Sequence, residues 1–263
     1  MSLPDSLKPS MQTIAIGMLS IAASAGLYAQ EARGGQVTAK ASAPIDLTGY
    51  WVSVVTEDWR FRMITPAKGD YPSIPLNAEG RKVADAWDPA KDEAAGEQCK
   101  SFGAGNIMRV PGRIHITWQD DNTLRIDTDA GTQTRLFHFR GQALEARRPE
   151  PEAPTWQGYS VAQWEFAGEP RRGQPSGRGG DLKVVTTRVR SGYLQKNGVP
   201  YSADAIVTEH FDTPGAEDNG DSWLIVTTLV EDPQYLARGF QRSTHFRKLA
   251  DASGWNPTAC TAK

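Results

Sequence analysis

The chain has no excess of either charge, no long apolar run and only two cysteines, and each shortage removes a class of protein. Twenty-nine Lys and Arg offset 31 Asp and Glu, leaving a net charge of −2. A nucleic-acid binder needs a basic surplus to neutralise phosphates, so that class is excluded. The apolar run from Ile14 to Ala25 falls short of the roughly 20 residues that span a bilayer, and no later stretch comes closer. Two cysteines so far apart cannot build a zinc site. There is no phosphate loop, no Gly-x-Gly-x-x-Gly after a strand, no His-Glu-x-x-His and no Gly-x-Ser-x-Gly. No cofactor is implied, and no repeat of fixed period occurs.

What is present begins with an export signal. The apolar run is followed by Ala23-Ser24-Ala25 and Leu27-Tyr28-Ala29, both small-residue cleavage patterns, and only Lys8 lies ahead of it. Residues 1–29 therefore read as a signal peptide, with an uncleaved anchor as the alternative. Residues 30–45 read as a flexible lead-in, and 46–263 as a single β domain. The expected location is the periplasm or the exterior. In such an oxidising compartment Cys99 and Cys260 are expected to form the one bridge open to them.

The rest of the chain alternates short apolar runs with Gly and Pro punctuation. Gly49 to Thr56 opens as a strand. In Arg113 to Trp118, Ile114, Ile116 and Trp118 share one face while Arg113, His115 and Thr117 share the other. Thr123 to Thr128 alternates likewise. A three-residue loop at Asp120-Asp121-Asn122, with Asn122 left-handed, pairs Trp118 with Leu124, Ile116 with Ile126, Thr117 with Arg125 and His115 with Asp127. A turn at Asp129-Ala130-Gly131 leads into Gln133 to Phe139, giving a three-stranded meander. Further strands are expected at 156–166, 182–190, 205–212, 222–230 and 241–248, with turns at Asn197-Gly198 and Asn219-Gly220. Trp223 to Val230 is apolar on both faces, as for a strand covered on two sides. Asn77 caps one short helix over Ala78 to Trp87. Arg171 to Gly180 reads as a mobile loop. About eight to ten antiparallel strands with one short helix make an all-β closed barrel, with a β-sandwich as the alternative.

Five segments resemble an uncharacterised family of exported proteins from environmental Gram-negative bacteria. They are Asp46-Leu47-Thr48-Gly49-Tyr50-Trp51, the Pro-Leu-Asn-Ala-Glu-Gly run at 75–80, and Pro154-Thr155-Trp156-Gln157-Gly158-Tyr159-Ser160. Val207-Thr208-Glu209-His210-Phe211 and Val230-Glu231-Asp232-Pro233-Gln234-Tyr235 complete the set. The resemblance implies a lipocalin-like or streptavidin-like barrel, supports a Cys99–Cys260 bridge, and carries no assigned activity. The family more often has Arg at position 210 and an aliphatic at 115, so it implies no histidine chemistry.

A barrel interior is the natural place for a ligand. The candidate binding residues are Trp51, Trp59, Arg60, Arg62, Trp118 and Arg125. Aromatic rings and guanidinium groups suit a partly apolar, aromatic or carboxylated molecule. The stretch Asp58-Trp59-Arg60-Phe61-Arg62 alternates the two types, though a solvated face with Trp59 and Phe61 turned inward produces the same pattern. The alternative function is a cofactor-independent lyase, isomerase or hydrolase. It would move protons through His115 with Asp127, or His210 with Asp212, inside the barrel. The bland reading of His115 and Asp127 is an ordinary cross-strand pair. The four histidines each come from a different strand, so convergence on a metal is conceivable and no metal is assigned. The expected partner is a small molecule, with no nucleic acid and no spanning segment in the mature chain. Oligomeric state is not encoded in any pattern found.

Overall fold

Period-two alternation organises this molecule, and the strand count sets how it closes. In a computed structural model, residues 37–139, 153–167, 179–215 and 218–263 are described. The signal-like segment 1–29 lies outside them, as do residues 30–36 of the lead-in and 171–178 of the expected mobile loop. Residues 38–263 cluster as one compact unit. No helix among the described residues is long and apolar enough to cross a membrane.

Eleven strands occur among the described residues: β1 (Gly49–Ser53), β2 (Arg113–Asp120), β3 (Thr123–Thr128), β4 (Gln133–Phe139), β5 (Tyr159–Phe166), β6 (Gly180–Thr187), β7 (Gly192–Gln195), β8 (Val199–Tyr201), β9 (Ile206–Asp212), β10 (Trp223–Glu231) and β11 (Phe240–Leu249). Nine of them close a barrel in the order β1-β11-β10-β9-β6-β5-β4-β3-β2, and β7 and β8 form a separate hairpin. The barrel, not the sandwich, is therefore the architecture. Directions that strictly alternate around a ring require an even number of strands. Nine strands force one parallel seam, and it falls between β4 and β5. The expectation of a wholly antiparallel barrel is corrected at that seam.

The meander pairs as the alternation demands: Trp118 faces Leu124, Ile116 faces Ile126, Thr117 faces Arg125 and His115 faces Asp127. The loop is tighter than expected. Asp120 already pairs with Thr123 after a register shift beyond Trp118, and Asn122 is not among the positive-φ residues. The Asn122 side chain instead accepts the Ala39 N–H at 2.9 Å. The second turn uses Gly131 at φ 78°, which lies against the Phe102 ring where a Cβ would collide.

Three short helices among the described residues replace the one expected: α1 (Trp59–Arg62), α2 (Ala78–Asp85) and α3 (Pro89–Ala94), with 3-10 turns at Gln98–Phe102 and Ile107–Arg109. In α2 the Asn77 side-chain oxygen accepts the Gly80 N–H at 2.8 Å, an N-cap satisfying one orphan donor. Gly80 is tolerated because the Tyr235 carbonyl presses where its side chain would be. Pro89 does not only end α2. It opens α3, where a missing N–H costs nothing.

Along β10, Leu224, Val226, Thr228 and Val230 are buried while the alternate residues are half-covered, so the strand is fully buried on one face only. The inward residues of the barrel form one cluster that includes Trp51, Ile116, Ile126, Phe137 and Phe211. Phe137 and Phe211 meet edge-to-face near the centre, with ring centroids 5.4 Å apart. One end is closed by Trp118, Phe139 and Trp164 together with Ala39. Residues 38–45 thus pack on the barrel instead of trailing from it. A second core lies beyond the other end, where α2, the β7–β8 hairpin and the starts of β9 and β11 meet around Tyr201 and Phe240.

One polar pair sits inside. Arg135 of β4 donates to Glu209 of β9 through both terminal nitrogens, at 2.9 and 2.6 Å, and neither side chain touches solvent. Thr186 and Ser160, hydrogen-bonded to each other at 2.7 Å, extend the polar patch over the two intervening strands. Cys99 and Cys260 are bridged across 161 residues, which in the chain-entropy view restrains the unfolded chain by about 5 kcal/mol.

Removing half of a buried ion pair strands the other charge. Glu209→Gln is expected to lower unfolding free energy by about 3–5 kcal/mol in urea titrations, whereas Arg135→Met with Glu209→Leu recovers most of that loss.

Candidate functional site

The chain leaves β1 at Ser53 and turns at Glu57 and Asp58 before α1. Asp58 holds a left-handed backbone at φ 50°, a conformation that costs a non-glycine residue energy and recurs at functional positions. The turn carries Arg62 inward. Arg62 Nε donates to the Arg109 carbonyl at 2.9 Å and Nη1 to the Val54 carbonyl at 2.6 Å. Arg109 in turn donates through Nη1 to the Leu194 carbonyl at 3.1 Å. Three separate segments are thereby drawn together around two guanidinium groups.

Between them lies a recess lined by Phe61, Arg62, Asn106, Arg109, Gln195 and Lys196, with room of about 10 Å³. That is space for about one water-sized group. Only 4% of Arg62 and 6% of Arg109 is exposed. Among the described residues, Arg62 Nη2 and Arg109 Nε are buried without a hydrogen-bond partner. Burial pulls the Arg109 guanidinium down to about 10, with Arg242 and Arg62 adding repulsion and Asp58 opposing it. Burial also lowers Arg62, against Glu57 and Asp58, and lowers Lys196. Asp58 lies 3.5 Å from Arg109 and 3.6 Å from Arg242, shared between two cations. All three lining cations are disfavoured by desolvation, and an anion in the recess would relieve each of them.

Of the residues picked from sequence, Arg62 alone enters this recess. Trp59 stands beside it in α1, 56% exposed. Arg60 points to solvent and pairs with Asp70 at 2.6 Å. Trp51 is buried in the barrel core, its indole N–H donating to the Leu47 carbonyl. Trp118 belongs to the aromatic plug at the far end and borders a surface cleft with Ile45 and Thr117. Arg125 sits on the outer wall.

The histidine proposals are corrected by strand parity. His115, His138, His210 and His245 all alternate with buried neighbours and so lie on the outer face. His115 does pair with Asp127, but it stacks on Tyr50 at 3.9 Å between centroids. Asp127 is held by Arg125 through both oxygens, at 2.7 and 2.8 Å, and by Thr134. Neither is free to serve an interior chemistry. His210 meets Asp181 at 3.1 Å instead of Asp212. His245 Nδ1 lies 2.5 Å from Glu57, and His138 stacks on Tyr159. The four have different neighbours and do not converge.

Sequence reading passed over Lys196, Asn106 and Gln195. Lys196 precedes the Asn197-Gly198 turn, where a solvent-facing charge is the ordinary expectation. No sequence signal marks it as half-buried. Arg109 was visible only as one arginine among many.

Burial alone would raise the Asp127 carboxyl, but hydrogen bonds from Arg125 and Thr134 outweigh it and hold the group below its ordinary value. A depressed carboxyl stabilises the fold above its unfolded pKa and stops doing so as pH falls through the folded one. Asp127→Asn is therefore expected to destabilise at pH 7, with the difference from wild type shrinking below about pH 4 in thermal melts.

No family model, no curated protein and no solved structure matches this chain.

Proposed function

We propose that this is an exported binding protein for a small, partly apolar carboxylate. The carboxylate is gripped at the Arg62–Arg109–Lys196 recess, not in the middle of the barrel. The barrel interior among the described residues is occupied by its own side chains, which moves the ligand to the barrel's end. The observation that carries the reading is the pair of buried guanidinium N–H groups without partners, on two residues that line one recess together with the half-buried Lys196. Buried donors are almost always satisfied, and an anion is the partner their charge selects. The recess admits one oxygen-sized group, so the remainder of the ligand lies outside. There the same segment presents Trp59, Met63 and Ile64, each more than half exposed, as an apolar surface. Export rests on the signal-like start of the chain and accords with the disulfide. Membership of the exported family rests on the five segments described above.

The reading is tested by calorimetric titration with acetate, benzoate and hexanoate, with chloride as control. Saturable binding is expected, tighter for benzoate and hexanoate than for acetate. Arg62 is too deeply built into the fold to be a clean variant, so Lys196→Met is used. A hydrogen bond to a charged group contributes roughly 1.5–3 kcal/mol, so this variant is expected to bind at least about tenfold more weakly while folding normally. Absence of saturable binding by every carboxylate, or equal affinity in the variant, would reject the reading.

A further inference from the structure

At the opposite end of the barrel strands, three neighbouring strands bring unlike ligating groups together on the outer face. Glu165 of β5 is directly opposite Asp181 of β6. Like charges so placed repel unless cations offset them, and Lys183 lies 3.5 Å from Glu165. His210 of β9 comes beside them because it pairs with Lys183, two residues along β6. His210 Nδ1 is 3.1 Å from Asp181 Oδ2 and 3.7 Å from Glu165 Oε2. One ligand atom from each residue lies within 4.8 Å of the others. Asp212 lines the adjoining cleft of about 340 Å³ together with Glu165 and Asp181, adding a third carboxylate.

We propose that Glu165, Asp181 and His210 form a binding site for a divalent first-row transition-metal ion, with zinc as the representative. Zinc bonds of about 2.0–2.1 Å in a tetrahedron place neighbouring ligand atoms about 3.3 Å apart. The two distances from His210 Nδ1 bracket that edge. One imidazole with two carboxylates favours zinc, manganese, iron or nickel over calcium or magnesium, which take oxygen alone. The groups are partly exposed, 36% for His210, 29% for Asp181 and 39% for Glu165. A fourth position is thereby open to water or to Asp212. Glu165 is already oriented as a ligand. Lys183 at 3.5 Å and the Gln163 amide at 3.3 Å hold Oε1, and Oε2 is the atom turned towards His210. Outer-shell partners of this kind fix a ligand's aim.

The site is independent of the carboxylate recess, and its test does not involve that ligand. Untagged protein is titrated with ZnCl2 by calorimetry. One ion per chain is expected, with a dissociation constant in the micromolar range or below. His210→Ala and Asp181→Asn are each expected to weaken binding by at least about tenfold, with unchanged circular dichroism because both side chains lie outside the core. His245→Ala, on another outer face, is expected to bind as wild type. Cobalt(II) provides a second readout: its visible d–d band should intensify on binding to wild type and not to His210→Ala. No saturable zinc binding, or wild-type affinity in both His210→Ala and Asp181→Asn, would overturn the proposal.

Discussion

The bidentate contact between Arg135 and Glu209 joins two strands that are not neighbours, β4 and β9, through the space that a ligand-carrying barrel would leave open. Both ions are wholly removed from water. Such a pair gains little net stability over a well-packed apolar substitute, but it strongly penalises any arrangement that separates the partners. Here it fixes which β4 residue faces which β9 residue across two intervening strands. It also leaves Phe137 and Phe211 packed edge-to-face beside it. A filled centre of this kind leaves the interior to the barrel's own side chains. The two sites proposed above lie at the barrel's ends and on its outer wall, where loops and strand edges supply charged groups without having to bury an empty core.

Much of this was legible in the residues. Period-two alternation in Arg113–Trp118 and Thr123–Thr128 leaves one register compatible with the apolar face, and that register is the one adopted. The adjacency of Glu209 and His210 guarantees opposite faces, and the apolar neighbours Val207 and Phe211 share the side of Glu209. The same logic, applied strictly, would have put His115 outside along with Arg113 and Thr117, since Ile114 and Ile116 have the better claim to the interior. The two cysteines left one pairing. What alternation cannot reveal is the content of the long insertions. The segment between β1 and β2 contributes Arg62 and Arg109, and the β7–β8 hairpin contributes Lys196. Those three meet only because distant segments pack on one another, and nothing local to Gln195-Lys196-Asn197 foretells burial.

The parallel seam between β4 and β5 has a similar status. It follows from parity once the strand number is nine, yet the number itself depends on whether 192–201 joins the barrel. Those residues instead form a hairpin of their own, packed in the second core with Tyr201 and Leu194. That excursion allows β9 to return beside β6, and so allows His210 to reach Asp181 and Glu165. The recess at one end and the carboxylate–histidine group at the other are thus linked by one topological choice.

The barrel's first strand lies against its last: β1 pairs with β11, Tyr50 opposite Leu249 and Ser53 opposite Phe246. A ribosome releases β1 nearly two hundred residues before the strand that completes its hydrogen bonding. The cylinder therefore cannot shut before β11 has emerged, and Cys99 waits almost as long for Cys260. Until then one edge of β1 presents unpaired backbone groups, and only its pairing with β2 holds it in the sheet.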